Sequence, residues 1–184
     1  MTLSPSLRRA LAPLVTLSVL VASFWLGMRV ERATPLPAPR TAAIDGSVDG
    51  LTVRTVDGLV LPLADSAGPV VVMVSSESCG YCATSMRDLA AMSAGAPLPR
   101  LRVVSLEGAA GGARMARSHG LGDVMVVGPG DNTTRTMFTF QFPGTPTFLL
   151  VEPDGRVRAA MPGYPGREGL VPWHRVMAGA RTAL

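Results

Sequence analysis

The sequence predicts an α/β fold with a central mixed β-sheet flanked by helices. Short β-branched segments alternate with segments of helical spacing, which is typical of a sheet covered by helices. The segment Pro69–Ser75 is apolar up to its last residue, as expected of a central strand buried on both faces. Asp57-Gly58 is a favoured two-residue hairpin turn, and the pair Asp154-Gly155 predicts that the last two strands are antiparallel.

Local signals delimit the predicted elements. Ser78 can cap the start of a helix, and Gly95 and Pro97 end that helix. His119 lies just before Gly120, which suits a helix C-terminus. The predicted strands are 51–56, 59–63, 69–75, 101–106, 124–127, 147–151 and 156–161, and the predicted helices are 78–94, 111–119, 133–142 and 167–180, placed on both faces of the sheet.

The composition argues against nucleic-acid binding. The 184 residues fit one ordinary domain with an appendage, and the formal net charge is +4. All 17 basic residues are arginines, scattered singly except for Arg8-Arg9, and aromatic residues make up only 5%. Nucleic-acid affinity needs clustered phosphate contacts. We therefore expect no nucleic-acid partner.

The first thirty residues predict a membrane anchor. Arg8 and Arg9 precede the uncharged segment 10–28, which as a helix would span about 28 Å. The apolar core of a cleaved signal peptide is shorter, at about 7–15 residues, and is followed by a small-residue cleavage site. Trp25 suits the interfacial belt near the far end of the span. An uncleaved single-pass anchor at 1–30 is favoured, and a cleaved signal peptide stays open.

The anchor is expected to hold an exported domain at the membrane. The Pro- and Ala-rich segment 31–47 has no apolar periodicity and is typical of a tether, so the folded domain is predicted at 48–184. Arginines flank the apolar segment on both sides, so the charge rule for orientation is nearly balanced. A short N-terminus and a long C-terminal domain favour placing the domain outside the cytoplasm, on the periplasmic side.

The only two cysteines, Cys79 and Cys82, form a C-x-x-C motif at a predicted strand-to-helix junction. The positive end of a helix stabilises a thiolate, and such motifs have thiol pKa values lowered to about 3.5–7.5. Cys79 is therefore predicted to be the attacking thiolate, and Cys82, one turn further and more buried, the resolving thiol. Gly80 and Tyr81, which lie between the two cysteines, help to set the reduction potential of the pair.

Other uses of the two cysteines stay open. A structural zinc site needs four ligands, and no second cysteine pair completes one, while His119 and His174 stand alone in the sequence. A purely structural disulfide would close too short a loop to contribute much stability. Two soft thiolates could also bind Cu(I), with His119 as a further ligand. Redox exchange is the favoured use, and no metal site is predicted.

A second motif, Phe142-Pro143-Gly144-Thr145-Pro146-Thr147, directly precedes a predicted strand about 65 residues after the C-x-x-C motif. Together the two motifs resemble the thioredoxin superfamily, and the leading hairpin, the anchor and the segment around Asp154-Gly155 are similar to membrane-tethered TlpA-like oxidoreductases. The resemblance covers about 51–180. It implies a thioredoxin-like fold, a cis Thr145–Pro146 bond, and Thr145 backbone groups that pair with a substrate strand.

The sequence departs from this family at positions near the motif. Ser78 occupies the place of a usual Trp, and Met73 and Ser85 occupy places where relatives keep a buried Asp or Glu. Glu77 is the nearest acid in sequence and is a weak candidate for a proton shuttle. Cys-Gly-Tyr-Cys followed by a Thr before the cis-proline is instead similar to periplasmic disulfide isomerases.

The resemblance implies a thiol-disulfide oxidoreductase of the bacterial inner membrane that uses its own disulfide and no other cofactor. Reduction of client disulfides, as in cytochrome c maturation or metal-site assembly, is the first expectation. Isomerase or oxidase activity is the alternative. The expected partners are client proteins with paired cysteines and a membrane thiol-disulfide interchange protein that exchanges electrons with this chain.

Overall fold

The structure is a computed structural model that describes residues 46–130 and 144–179, together with Ser18. The chain divides into two compact units, residues 1–37 and 38–184, and the elements given below belong to the second. Apart from Ser18, the predicted anchor 10–28 lies outside the described residues, as do most of the tether and the predicted helix 133–142. None of the helices in the described ranges is long and apolar enough to cross a membrane.

Within the described residues, eight strands form one mixed sheet. The strands are β1 (Gly46–Ser47), β2 (Thr52–Arg54), β3 (Val60–Pro62), β4 (Val70–Ser75), β5 (Leu101–Ser105), β6 (Met125–Pro129), β7 (Thr147–Val151) and β8 (Arg156–Pro162), and the helices are α1 (Gly80–Ser93), α2 (Ala109–Ser118) and α3 (Gly166–Met177). The sequence predicts a mixed sheet and every one of these strands except β1. The strand order is β1-β8-β7-β4-β5-β6-β2-β3. The three neighbours β4, β5 and β6 are parallel, and the other neighbouring strands are antiparallel.

The sheet separates two hydrophobic clusters. Every residue of β4 is buried, and alternate side chains point to opposite faces, with Met73 in one cluster and Val72 in the other. Helices α1, α2 and α3 all contribute to the cluster that contains Met73. The three described helices therefore all pack on one face of the sheet. The reason is geometric: the crossovers β4-α1-β5 and β5-α2-β6 step in one direction, and right-handed crossovers of that kind place both helices on one face. The fourth predicted helix, 133–142, lies outside the described residues, so the prediction of helices on both faces stays a prediction.

Both Asp-Gly hairpins have three-residue loops, whereas a two-residue turn is predicted for Asp57-Gly58. The antiparallel pairing predicted for the last two strands is confirmed. In the first hairpin, the Thr55 N–H donates to the Leu59 carbonyl at 2.9 Å, and the Gly58 N–H donates to the Thr55 carbonyl at 3.1 Å. Gly58 has a φ of 87°, so the glycine supplies the left-handed residue that closes a three-residue loop with a bulge. The Thr55 hydroxyl also accepts the Leu59 N–H at 3.0 Å, which stabilises this longer loop.

Gly46 and Ser47, which the sequence places in the tether, form the short edge strand β1. They pair antiparallel with Arg156 and Val157 of β8. The Val48 N–H also donates to the Gly155 carbonyl at 2.7 Å. Two residues are too few to give a strand signal in the sequence, and this strand exists because a long-range partner is available.

A buried arginine holds the leading hairpin to the sheet. Arg102 of β5 is only 9% exposed, and its Nη1 lies 2.9, 2.7 and 3.2 Å from the carbonyl oxygens of Pro62, Leu63 and Ala64. Its Nη2 lies 3.2 Å from Asp65 Oδ2. One guanidinium thus satisfies three carbonyls and a carboxylate at the end of the sheet opposite to the C-terminal end of β4.

Replacing this arginine should destabilise the domain. Arg102→Met keeps the apolar stem but leaves the three carbonyls without this donor, while Asp65 keeps only the Ala67 N–H and the more distant Arg100. We expect a loss of roughly 2–4 kcal/mol in the free energy of unfolding. Arg158→Met is the matched control, because Arg158 pairs with Glu152 at 3.5 Å with half of its side chain exposed. That variant should lose less than about 1 kcal/mol. Equal losses in urea titrations of the two variants would contradict the role given to Arg102.

Candidate functional site

The two cysteines lie at the C-terminal end of β4, where α1 begins. Cys79 is the N-cap of α1, with φ −85° and ψ 104°, and its Sγ accepts the Cys82 N–H at 3.1 Å. The predicted cap, Ser78, is wrong by one residue, since its hydroxyl lies 3.1 Å from the Ser76 hydroxyl instead. The reactive sulfur itself therefore occupies the capping position, at the positive end of the helix dipole.

Cys79 and Cys82 are joined in a disulfide with their Cα atoms 5.2 Å apart. Their burial differs, because Cys79 is half-buried whereas Cys82 is fully buried in the cluster under α1. In the dithiol state, an incoming molecule would reach Cys79 first. The N–H of residue 82 and the helix dipole both stabilise negative charge on that sulfur.

The loop before β7 faces the sulfur pair. The Thr145–Pro146 peptide bond is cis, and the Thr145 carbonyl oxygen lies 3.2 Å from Cys79 Sγ. The Pro146 carbonyl accepts the Gly163 N–H at 2.6 Å, and the Thr147 hydroxyl donates to the Gly144 carbonyl at 2.7 Å. The structure thus brings together residues that are 66 positions apart in the sequence.

The two buried positions where relatives carry an acid hold no acid here. Met73 on β4 and Ser85 on α1 are both fully buried. The Ser85 hydroxyl donates to the Tyr81 carbonyl at 2.8 Å, so it continues the hydrogen bonding of its own helix. Neither side chain can take a proton from Cys82 in the way a carboxylate would.

Glu77 lies against α2. Its Oε2 is 3.8 Å from Arg114 Nη2, and a Cβ added to Gly111 would come within 1.6 Å of its Oε1, so only glycine at 111 permits this position. Among the described residues, no hydrogen bond joins its carboxylate to either sulfur. The sequence did not indicate this position of the Glu77 side chain, because it depends on how α2 packs beside the motif.

Glu107 is a residue of the site that the sequence analysis missed. It accepts hydrogen bonds from the Ser76 hydroxyl and, at 3.1 Å, from the Glu77 N–H. Partial burial acts to raise the pKa of Glu107, but these hydrogen bonds outweigh it and hold that pKa below its usual range. The carboxylate therefore fixes the loop that leads to Cys79. Its place directly after β5, which is parallel to β4, is the signal that could have revealed it.

A groove of about 440 Å³ opens beside Cys79, between the start of α1 and α2. It is lined by Glu77 and Arg114, and also by Met115 and His119. His119 is the C-cap of α2, and Gly120 after it has a φ of 84°. Within the described ranges, no group of three or more His, Cys, Asp or Glu residues could hold a metal ion.

Two tyrosines lie beside the cysteine pair. Tyr81, between the two cysteines, stacks on Tyr164 with ring centroids 6.3 Å apart and an interplanar angle of 21°. The Tyr164 hydroxyl donates a short hydrogen bond to Asp88 Oδ2 on α1. Burial and the Asp88 carboxylate raise the pKa of Tyr164 to about 12. Neither Tyr164 nor Asp88 was predicted, because they are 76 residues apart and meet only in the folded chain.

This pKa can be measured on a single tyrosine. The chain has two tyrosines, so Tyr81→Phe leaves Tyr164 as the only phenol. We expect its phenolate absorbance, recorded by rapid pH jump, to rise with a midpoint near 12. Adding Asp88→Asn should move the midpoint down toward the ordinary value of about 10.

The sign of the effect on stability follows from the same shift. The pKa of Tyr164 is higher in the folded chain than in the unfolded chain. The stability that the protonated hydroxyl contributes is therefore fully present below about pH 10 and is lost as the pH rises through about 12. A midpoint near 10 in Tyr81→Phe, or one unchanged by Asp88→Asn, would contradict the Tyr164–Asp88 contact.

The comparisons agree with this geometry. The family model described as a thioredoxin-like domain matches residues 63–176. The chain belongs to the thioredoxin-like family. This match includes both cysteines and the cis-proline loop. Comparison with curated proteins gives no match.

Several solved structures have a similar fold. The thiol:disulfide interchange protein DsbE of Chlorobium tepidum, itself a putative assignment, has a TM-score of 0.54 at 21% identity, over 75% of this chain and 100% of that chain. A thio-disulfide isomerase from Thermus thermophilus has a TM-score of 0.54 at 17% identity, over 77% and 100%. A secreted Mycobacterium tuberculosis disulfide oxidoreductase homologous to E. coli DsbE has a TM-score of 0.51 at 14% identity, over 68% and 94%. At these identities the similarity is one of fold.

Proposed function

We propose that this protein is a thiol-disulfide oxidoreductase that exchanges electrons with client proteins through Cys79 and Cys82. One observation carries the proposal: a half-buried sulfur at a helix N-cap is bonded to a buried sulfur and lies 3.2 Å from the carbonyl before a cis-proline. The solved structures of similar fold include proteins named as disulfide oxidoreductases and isomerases.

In the reducing direction, the reaction starts from the dithiol. The Cys79 thiolate attacks one sulfur of a client disulfide, forms a mixed disulfide, and releases the other client sulfur as a thiolate, which takes up a proton. Cys82 then loses its proton and attacks Cys79 Sγ, which restores the Cys79–Cys82 disulfide and frees the second client thiolate. The client gains two electrons, and an external dithiol must return them to this chain.

The cis-proline loop is assigned to client binding. Thr145 offers its carbonyl beside Cys79, and an extended client segment can pair with backbone groups at that position. Ser78, Gly80 and Tyr81 shape the surface around the sulfur. Glu77 is not needed for proton transfer in this proposal, because its carboxylate is paired with Arg114.

The place of action is proposed to be the outer side of a bacterial inner membrane. The support is the apolar segment 10–28 behind Arg8 and Arg9, whose length fits a single span. A membrane thiol-disulfide interchange protein would then supply electrons to the tethered domain. Reduction of clients for cytochrome c maturation or metal-site assembly is the favoured role in that compartment.

Isomerase or oxidase activity is the second candidate for the same cysteines. Met73 and Ser85 leave the buried acid positions empty of carboxylates, which removes a proton acceptor for Cys82. Without such an acceptor, resolution of the mixed disulfide by Cys82 is slower, which favours release and reshuffling of client disulfides.

A redox titration tests the proposal. The Cys79–Cys82 couple, equilibrated with dithiothreitol or glutathione buffers, should titrate as two electrons with a potential between about −270 and −120 mV. A value at the reducing end supports the reductase role, and one at the oxidising end supports the isomerase or oxidase role. The Cu(I) alternative rests on Cys79, Met115 and His119 lining one groove. Tight binding of one copper per chain, with no reversible redox couple, would overturn the exchange function.

A further inference from the structure

Tyr81 is exposed in an unusual place for a large ring. It lies in the first turn of α1 between the two cysteines, yet 58% of its surface is exposed. A ring there buries little area in the domain, although aromatic side chains gain most from burial. Exposed tyrosines beside a reactive group are typical of contact surfaces for a second molecule.

The ring is held in place rather than free. Tyr81 stacks on Tyr164, and the Tyr164 hydroxyl is bonded to Asp88 on α1. Gly163, which directly precedes Tyr164, donates its N–H to the Pro146 carbonyl at 2.6 Å. We call Tyr81 and Tyr164 the tyrosine platform. It is fixed both to α1 and to the cis-proline loop, so little side-chain entropy remains to be lost when a ligand covers it.

Two exposed arginines belong to the same stretches of chain as the platform. Arg87 directly precedes Asp88, and Arg167 follows Tyr164 by three residues. Their positive charges act on Tyr164 against the rise in its pKa that burial and Asp88 cause. Within residues 46–130 and 144–179 neither guanidinium forms an ion pair, and Arg87 donates only to the Thr84 hydroxyl, at 3.1 Å. The one carboxylate bonded to the platform, that of Asp88, already accepts the Tyr164 hydroxyl. A ligand with a carboxylate next to an aromatic ring would match this arrangement of charge.

We infer that the tyrosine platform binds an aromatic side chain next to the reactive cysteine of a client polypeptide, with a client carboxylate facing Arg87 and Arg167. Tyr164 is then a specificity-determining residue, and Asp88 is a positioning residue that acts through it. The inference rests on the proposed function and narrows its clients to cysteines flanked by an aromatic and an acidic residue.

Peptides of defined sequence test the inference on the full chain. Each peptide has blocked ends and a single cysteine held as a mixed disulfide with 2-mercaptoethanol. The three sequences are Gly-Phe-Cys-Glu-Gly, Gly-Ser-Cys-Glu-Gly and Gly-Phe-Cys-Gln-Gly. The reduced protein is mixed with each peptide at low ionic strength, and release of the peptide thiol gives a second-order rate constant. The ratio of constants between the Phe-Glu and Ser-Glu peptides reports recognition of the ring, because the two peptides share the same mixed disulfide and the same neighbouring glutamate.

For the wild type, we expect the Phe-Glu peptide to react about tenfold faster than the Ser-Glu peptide. The Phe-Glu peptide should also react several-fold faster than the Phe-Gln peptide, with the difference falling as salt is added. Tyr164→Phe keeps the stacked ring and should keep most of the Phe-to-Ser ratio, whereas Tyr164→Ala should bring it close to one. Asp88→Asn weakens the same hydrogen bond that Tyr164→Phe removes, so it should lower the ratio by no more than Tyr164→Phe does. Val171→Ala, which removes exposed apolar surface from α3, is the control and should keep the wild-type ratio.

Each contrary result has its own meaning. A Phe-to-Ser ratio near one in the wild type, or a high ratio that survives Tyr164→Ala, overturns the platform. A high Phe-to-Ser ratio with no difference between Glu and Gln overturns the role of the arginines. If the reduced protein reacts with all three peptides no faster than free cysteine does, the proposed exchange function fails instead.

Discussion

Cys79→Ala is expected to abolish thiol-disulfide exchange, with a loss of at least ~10³-fold in rate. Of the two cysteine sulfurs, the one on Cys79 is half-buried and the one on Cys82 is fully buried. In the variant, a client disulfide cannot reach the remaining thiol without opening of the helix start. Cys82 also lacks the N-cap position at which the helix dipole and a backbone N–H stabilise a thiolate.

The measurement is the rate at which the reduced protein reacts with a disulfide peptide, compared with the wild type under the same conditions. The fold of the variant is checked by near-ultraviolet circular dichroism, since Trp173 is fully buried and packs on Phe148 with centroids 6.0 Å apart. A folded Cys79→Ala protein that retains more than about a tenth of the activity would show that Cys82 can attack directly. The assignment of the two sulfurs would then be reversed.

Parts of this site could be predicted from the sequence because they depend on short motifs. The C-x-x-C spacing places both sulfurs on one turn of a helix, and a β-branched run before it indicates a buried strand. The motif before β7 indicated the loop around Pro146 through resemblance to a family. Strand positions were predicted well for the same reason, because alternation and turn residues are local features.

The remaining parts depend on contacts between distant segments. Glu107 meets the loop before Cys79 only because β4 and β5 are parallel neighbours. Tyr164 reaches Tyr81 because the order of β7 and β8 brings the end of β8 to the motif. The Glu77 carboxylate lies over Gly111 only because α2 packs beside the motif. None of these pairs has a spacing that a local pattern could reveal.

The same distinction accounts for the errors in local structure. Ser78 and Cys79 can both cap a helix. The N-cap is the one that has an extended backbone conformation at the end of the loop after β4, and this residue is Cys79. The Ser76 and Glu77 contacts with Glu107 hold that loop, so the helix begins one residue later than predicted. Likewise, an Asp-Gly pair alone does not set the loop length, since Thr55 pairs with Leu59 and adds a residue to the turn.

Cys82→Ala should keep the attacking thiolate of Cys79 but lose the thiol that resolves the mixed disulfide. The N–H that donates to Cys79 Sγ belongs to the backbone of residue 82 and survives the substitution. Cys79 therefore still attacks a client disulfide, but no second thiol is present to displace the client. We expect multiple turnover to stop after one event and a mixed disulfide between Cys79 and the client to accumulate.

The trapped species is measured by non-reducing electrophoresis and mass spectrometry after mixing the reduced variant with a disulfide-bonded client or with an envelope extract. Ser85→Ala is the matched control, because Ser85 is also fully buried on α1, one turn beyond Cys82, and its replacement leaves both sulfurs in place. That control should turn over and trap nothing. Full turnover by Cys82→Ala without any trapped client would show that exchange needs only one thiol, and the two-thiol mechanism would have to be abandoned. A trapped client also identifies the partner, and its residues beside the linked cysteine test directly whether an aromatic ring and a carboxylate lie next to the sulfur.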